Sequence, residues 1–161
     1  MIKNSSKGFT LAELLIVVII IGVLSSMMSI SSTSATDNAK ASAIIANLST
    51  MKKAALALYM ESQDIANATE SSKVLEGIAS YVGTTSNALK NTNHYNVDVN
   101  GTEWYVYYET QVNNVNLINT TVKNILKDKA ESVGLLGADS IHFNSTTYYD
   151  GQKKLIGMKV R

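Results

Sequence analysis

The apolar and polar positions change rhythm along the chain. From Leu14 to Leu24 the residues read "LLIVVIIIGVL", apolar on every side of any helix they form. No charge occurs between Glu13 and Asp37. Further on, Ile44, Leu48, Met51, Ala55 and Leu58 recur at spacings of 4, 3, 4 and 3, one helical stripe. Ile45, Leu56 and Tyr59 widen it, while Lys40, Asn47, Lys52, Lys53 and Glu61 are polar. The pattern predicts one helix from Phe9 to about Ser62, apolar all round in its first half and amphipathic in its second. At a rise of about 1.5 Å per residue it would run ~80 Å.

After that helix the rhythm shortens. Residues 63–93 are polar, with a short helix expected at Lys73–Val82 and ended by Gly83. "HYNVDVNGTEWYVYYETQ" alternates on both sides of Asn100-Gly101, a type I′ hairpin signal. In its second strand Trp104, Val106 and Tyr108 share one face, and Tyr105, Tyr107 and Glu109 the other. "NTTVKNILKDKAESVG" predicts a helix capped by Asn119 and stopped near Gly134, with Val122, Ile125, Leu126 and Val133 facing inward. "IHFNSTTYYDGQKKLIGMKVR" predicts a second hairpin, turned at Asp150-Gly151. The fold class expected is α+β: a long N-terminal helix packed on a small head with an antiparallel β-sheet.

Composition narrows the chemistry. A length of 161 residues suits one modest domain with an accessory element. The net charge of +1 gives nucleic-acid binding no support. The absence of cysteine excludes disulfides and thiolate metal sites. Proline is absent too, so no proline kink interrupts the long helix.

Lys3 and Lys7 precede the apolar run with no acid between them. Phe9–Ile30 is long enough for a bilayer core of about 30 Å, and the flanking lysines place the N-terminus in the cytoplasm. A secretory signal peptide, with Thr33-Ser34-Ala35 as its cleavage site, is one reading. A plain signal anchor is another. Both leave Glu13 unexplained. A third reading places processing on the cytoplasmic side, before the apolar run. Gly8 lacks a Cβ and admits a protease to the backbone. Cleavage after it creates an α-amino group on Phe9, four residues from Glu13. A carboxylate in hydrocarbon costs on the order of 3 kcal/mol and is usually partnered. The Phe9 ammonium of a neighbouring copy is an available partner.

Lys7-Gly8-Phe9-Thr10-Leu11-Ala12-Glu13, followed by the apolar run to Leu24, resembles the class III signal of type IV prepilins. That family includes type IVa-like pilins, pseudopilins of type II secretion and competence pilins. The resemblance implies recognition of Lys7 and Gly8 by a prepilin peptidase, cleavage between Gly8 and Phe9, and methylation of the Phe9 amine. It implies that Glu13 guides subunit docking in assembly. It divides the chain into a leader (1–8), a transmembrane and filament-core helix (9–35), an amphipathic helix packing on the head (36–62) and a globular α+β head (63–161). The product would be a single-pass precursor in the cytoplasmic membrane, N-terminus in, and then a structural subunit of an extracellular pilus. Such a pilus would serve adhesion, twitching motility or DNA uptake. Its partners would be the peptidase, an assembly ATPase, a platform protein and copies of itself. No catalysis, cofactor or metal is implied. Many relatives carry a proline where this chain has Ile30, so a fixed kink is not expected here. Gly22 and the Ser/Thr-rich stretch from Ser25 to Thr36 are expected to make the softest part of the helix, able to stretch or melt in a filament. Relatives often close a C-terminal loop with a disulfide. Here packing and sheet hydrogen bonds must hold the final strand.

The remaining chemistry is sparse. His94 and His142 lack ligands at metal spacing and read as surface or strand residues. Asp98, Asn100 and Asp150 could meet at hairpin tips and hold calcium, but solvated turn residues are the favoured reading. The strand aromatics are expected to pack against the long helix rather than stack on bases. Lys153, Lys154, Lys159 and Arg161 form a small basic end, expected to be a solvated strand face; a DNA contact there is unsupported. Sequons at Asn67 and Asn144 are noted. Two alternatives stay open: a pseudopilin of secretion or competence, and a secreted binding module. N-methyl-Phe9 on the mature protein supports the pilin reading; a start at Thr36 supports the module.

Overall fold

A computed structural model of the chain describes residues 10–61, 70–141, 143 and 147–161, with the side chains of 26–33 outside that set. The chain forms two compact units, Met1–Asp37 and Asn38–Arg161, divided within the first helix.

Helix α1 runs Leu11–Glu61 as 51 residues without interruption. The stretch expected to be soft, Ser25–Thr36, is helical in the single chain. In the second unit the stripe is buried as its spacing requires: Ala41, Ile44, Leu48, Met51, Ala55 and Leu58 are each no more than 6% exposed. Helix α2 spans Ser71–Val82, beginning two residues before the expected start. It ends at Gly83, where Thr84 N–H reaches back to the Ala79 carbonyl at 2.9 Å. A single π-helical turn, Ala88–Thr92, follows where the sequence suggested only loop. His94 has φ 60°, the left-handed region, immediately before the sheet.

Strands β1 (Tyr95–Asn100) and β2 (Glu103–Glu109) form the expected hairpin, with Val97 opposite Val106. The turn lies one residue further on than expected: Asn100 pairs with Glu103, so Gly101 and Thr102 are its central residues. Of the two only Gly101 has positive φ (59°), the glycine-first pattern of a type II′ turn rather than the expected type I′. A two-stranded hairpin, β3 (Gln111–Val112) and β4 (Val115–Asn116), is an addition. Its turn residues Asn113 and Asn114 have φ 48° and 63°, which asparagine tolerates better than most residues. Helix α3 is Thr120–Val133; Asn119 Oδ1 caps it by accepting the Val122 N–H at 2.8 Å. Val122 and Leu126 are buried and Ile125 half-buried, but Val133 is 38% exposed. It sits in the last turn and points away from the core, contrary to expectation.

The second hairpin is also corrected. Asp150-Gly151 does turn the chain: Asp150 Oδ1 accepts the Gln152 and Lys153 N–H groups at 2.9 and 3.2 Å. Among the described residues, none before the turn pairs with one after it. Tyr148 bridges Leu136 of β5 (Leu136–Ala138), and β6 (Leu155–Lys159) inserts between β5 and β2. Local turn chemistry was read correctly; the partner is a strand distant in sequence. The sheet order is β1-β2-β6-β5, with each adjacent pair antiparallel.

Both faces of this sheet are covered. On one, Trp104, Val106, Tyr108, Ile156, Met158 and Val160 join α1, α2 and α3 in the main core. On the other, Tyr105, Tyr107, Ala138, Leu155 and Phe143 form a second cluster. Only some of the strand aromatics therefore pack on the α1 side. Phe143 is fully buried, with its ring 5.4 Å from Tyr105 and 5.6 Å from Tyr107. It lies over Gly157, where a Cβ would approach the ring to 2.8 Å and the Val106 carbonyl to 3.0 Å. The absence of a side chain at Gly157 makes the slot.

Without a disulfide, the last strand is held from both sides. Phe143 covers one face. On the other, the Arg161 guanidinium lies 4.1 Å from the Tyr59 ring centre and 5.1 Å from that of Trp104. Tyr59 and Trp104 meet edge to face at 5.6 Å. Thr110, fully buried, adds hydroxyl and amide hydrogen bonds to the Lys154 carbonyl at 2.9 and 2.8 Å.

Candidate functional site

The residues singled out for processing meet the described structure at Thr10. Lys7, Gly8 and Phe9 lie outside the described residues. Thr10 stands just before α1, and its carbonyl accepts the Leu14 N–H at 3.2 Å. Its side chain and Glu13 bond reciprocally. Glu13 N–H donates to Thr10 Oγ1 at 3.2 Å, while Thr10 N–H and the Thr10 hydroxyl both donate to Glu13 Oε2 at 2.8 Å. This is a capping box: a helix start leaves amide groups without intrahelical acceptors, and a Thr-x-x-Glu pair satisfies two of them. A carboxylate in the first turn also faces the positive end of the helix dipole.

Sequence reasoning treated Glu13 as an acid awaiting a cation and gave Thr10 no role beyond the motif. The Thr-x-x-Glu spacing was the available signal. The carboxylate already has two donors from its own chain. Its other oxygen, Oε1, takes no part in that cap.

Next to this cap the helix is apolar on all sides. Leu11, Leu14–Ile21, Val23 and Leu24 are between 46% and 84% exposed. Burying one such side chain is worth roughly 1.5–3 kcal/mol, so covering all eleven would release on the order of 15–30 kcal/mol. A surface of this extent marks a lipid or protein contact. Among the described residues, no helix is long and apolar enough to cross a membrane. The apolar stretch with described side chains reaches only Ser25, about 22 Å of helix from Leu11 against a core of about 30 Å.

Residues 3–29 match the family model of the prokaryotic N-terminal methylation motif. This motif is the class III signal of type IV pilins and pseudopilins, so the chain carries the N-terminus of a pilin-like precursor. Thr10 and Glu13 fall inside the methylation motif, and so do Lys7, Gly8 and Phe9. Comparison with curated proteins and with solved structures returns no match. The head lies beyond the motif and is described from its own geometry.

The other sequence candidates do not converge. Asp98 is buried, not solvated: its Oδ2 accepts the Phe143 N–H at 2.8 Å. Asp150 is engaged in its own turn, and Asn100 is exposed. Among the described residues no group of three His, Cys, Asp or Glu side chains could hold a metal ion. His94 is half-buried; His142 lies outside the described residues.

The basic end is largely engaged, against expectation. Lys153 pairs with Asp139 at 2.7 Å, and Lys159 pairs with Glu103. Lys153 holds the Asp139 carboxyl below the usual carboxylate range, and Asp139 raises Lys153. Hydrogen bonds from Lys159 and then Tyr105 lower Glu103. Burial, followed by the bond to Glu103, pushes the Tyr105 phenol up to about 12. Arg161 lies over aromatic rings, and the exposed Lys154 stands close enough to Asp139 to help lower that carboxyl.

Proposed function

We propose that the chain is a structural subunit of a type IV pilus, stored in the cytoplasmic membrane and polymerised through its N-terminal helix. The observation that carries this reading is the methylation motif opening directly onto a helix with aliphatic side chains exposed all round. A prepilin peptidase would cut between Gly8 and Phe9 and methylate the new amine. The apolar helix would then leave lipid and bury itself among the helices of other copies, driven by an assembly ATPase and platform protein. The subunit itself is non-catalytic and carries no cofactor.

Glu13 has a role on either side of this transfer. Within one chain it caps α1 through Thr10. In the filament its Oε1 would receive the Phe9 ammonium of a neighbour, neutralising both charges and setting axial register.

The sheet supports growth through the helix rather than by strand addition. On the β1 edge, Val97 N–H donates to Asn96 Oδ1 at 2.8 Å and Val99 N–H to Ser71 Oγ at 3.2 Å. On the β5 edge, Gly137 N–H donates to the Thr147 carbonyl and Tyr149 N–H to the Leu135 carbonyl, at 3.1 and 3.0 Å. Edges blocked in this way do not template another strand.

Mass spectrometry of the processed chain and electron microscopy of sheared cell-surface material test the proposal together. The expected result is an N-terminal N-methyl-Phe9 on subunits recovered from long fibres. A mature start at Thr36 would overturn it. Short periplasm-spanning structures in place of surface fibres would assign the chain to a pseudopilin system, which shares the motif. Glu13→Ala should insert in the membrane normally yet fail to assemble; normal fibres from that variant would remove Glu13 from the mechanism.

A further inference from the structure

Two concavities open on the head. The smaller, about 240 Å³, lies between α1 and the π turn around Met51, Leu89 and Tyr95. It falls below the range of roughly 300–1,000 Å³ found for small-ligand clefts. The larger, about 440 Å³, falls inside that range. Its wall is built by α2, the π turn and the first two strands, with Leu75 and Val97 as apolar floor and Ile141, 62% exposed, at the rim.

The polar groups around this cleft are held in place by bonds to the fold. Ser71 Oγ is fixed by the Val99 N–H at 3.2 Å and Asn96 Oδ1 by the Val97 N–H at 2.8 Å. Asn87 Oδ1 accepts from Asn91 Nδ2 at 2.8 Å. Asn96 also bonds the phenol of its cross-strand neighbour Tyr107. Around these fixed hydroxyl and amide groups stand Glu76, Glu109 and Lys90, none of which makes an ion pair with a described residue. The lining thus offers carboxylate acceptors, amide and hydroxyl groups of both kinds, one ammonium and an apolar floor.

That inventory suits a ligand with many hydroxyls and a partly apolar ring face. Two carboxylates can each accept from a vicinal pair of hydroxyls, and amides donate and accept in turn. With two acids to one base, the rim repels an anion. We propose that this cleft binds a neutral saccharide, so that the subunit recognises surface glycans through its head. This goes beyond the filament reading and does not depend on it: the cleft uses no residue of the N-terminal motif.

The test is saturation-transfer NMR on the full chain in a zwitterionic detergent lacking a sugar headgroup. The probes are chitotriose, lactose and mannobiose at millimolar concentration, with sialyllactose as the anionic comparison. Saturation should pass to at least one neutral probe and less to sialyllactose. Glu76→Ala/Glu109→Ala should weaken that binding about tenfold, and Glu76→Gln should weaken it with the volume of the side chain kept. Near-UV circular dichroism should match the parent, because Glu76 is exposed and Glu109 half-exposed. No transfer to any neutral probe, a preference for sialyllactose, or transfer unchanged in the variants would each overturn the proposal. Fibres should form from all these variants, so failure of glycan binding would leave the filament reading standing.

Discussion

Replacing Phe143 with alanine removes the ring that fills the slot above Gly157. Phe143 is fully buried, stacks on Tyr105 at 5.4 Å and lies 5.6 Å from Tyr107. Large-to-small changes of this kind cost about 3–5 kcal/mol, of which the aromatic contacts account for roughly 0.5–1.5 kcal/mol. Its N–H still reaches Asp98, so the backbone anchor survives and the lower half of that range applies. Against a total stability of about 5–15 kcal/mol, a loss of about 3 kcal/mol is large. For a unit the size of Asn38–Arg161 it corresponds to a fall in Tm of about 10–15 °C. Near-UV circular dichroism of the full chain in detergent micelles reads this directly, because the affected rings are tyrosines. A second substitution tests the cause. Gly157→Ala puts a Cβ 2.8 Å from the Phe143 ring and should cost about 1–3 kcal/mol by overpacking. In the Phe143→Ala background most of that cost should vanish, leaving the 3.0 Å approach to the Val106 carbonyl. Equal costs of Gly157→Ala in both backgrounds, or a Tm within about 3 °C of the parent for Phe143→Ala, would refute the slot.

Asn119→Ala should destabilise α3 by about 1 kcal/mol, seen as faster amide exchange at Val122, with Asn119→Ser recovering most of it. Arg161→Met should keep much of the packing over Tyr59 and Trp104 but lose the cation–π attraction, about 1 kcal/mol, and should shift the Trp104 fluorescence maximum. Thr10→Val removes the hydroxyl of the capping box and should expose the first amides of α1 to faster exchange in micelles, while Thr10→Ser should not. Glu103 and Asp139 have folded pKa values below their unfolded ones. The stability they contribute is therefore present above the unfolded carboxylate range and lost as pH falls through the depressed folded values. Both pairs are exposed, so the slope of Tm against pH in the acid range should be shallow; Glu103→Gln/Asp139→Asn should flatten it further, and an unchanged slope would count against the pairs.

The features readable in advance were those written within a few residues. The 4-3-4-3 stripe from Ile44 to Leu58 and the Asn119 cap each depend on near neighbours and stand where their residues placed them; the first hairpin was legible too, though its turn falls at Gly101-Thr102, one residue beyond Asn100-Gly101. Thr10 and Glu13 were legible by the same logic, since a capping box needs only a spacing of three. The strand β6 was not legible in its pairing. Asp150-Gly151 specifies a turn and nothing about which strand lies beside the next one; the Leu136–Ala138 strand won that position through contacts far apart in sequence. Val133 was misjudged because a helical period gives a face, while the end of the core decides where the face stops mattering.

The sequence by itself determined the pilin-like signal, the unbroken long helix and the α+β class, because motif order, helical period and turn residues act over short range. The tertiary structure alone decided that the sheet is covered on both faces, that Asp98 is buried under Phe143, and that Arg161 rests on Tyr59 and Trp104. Alternation along β2 separates two faces but is silent on what covers each, and a buried carboxylate looks like a turn residue until the backbone that bonds it is in place. The cleft beside α2 belongs to the same class: its walls come from four parts of the chain, and no spacing along the sequence records their meeting.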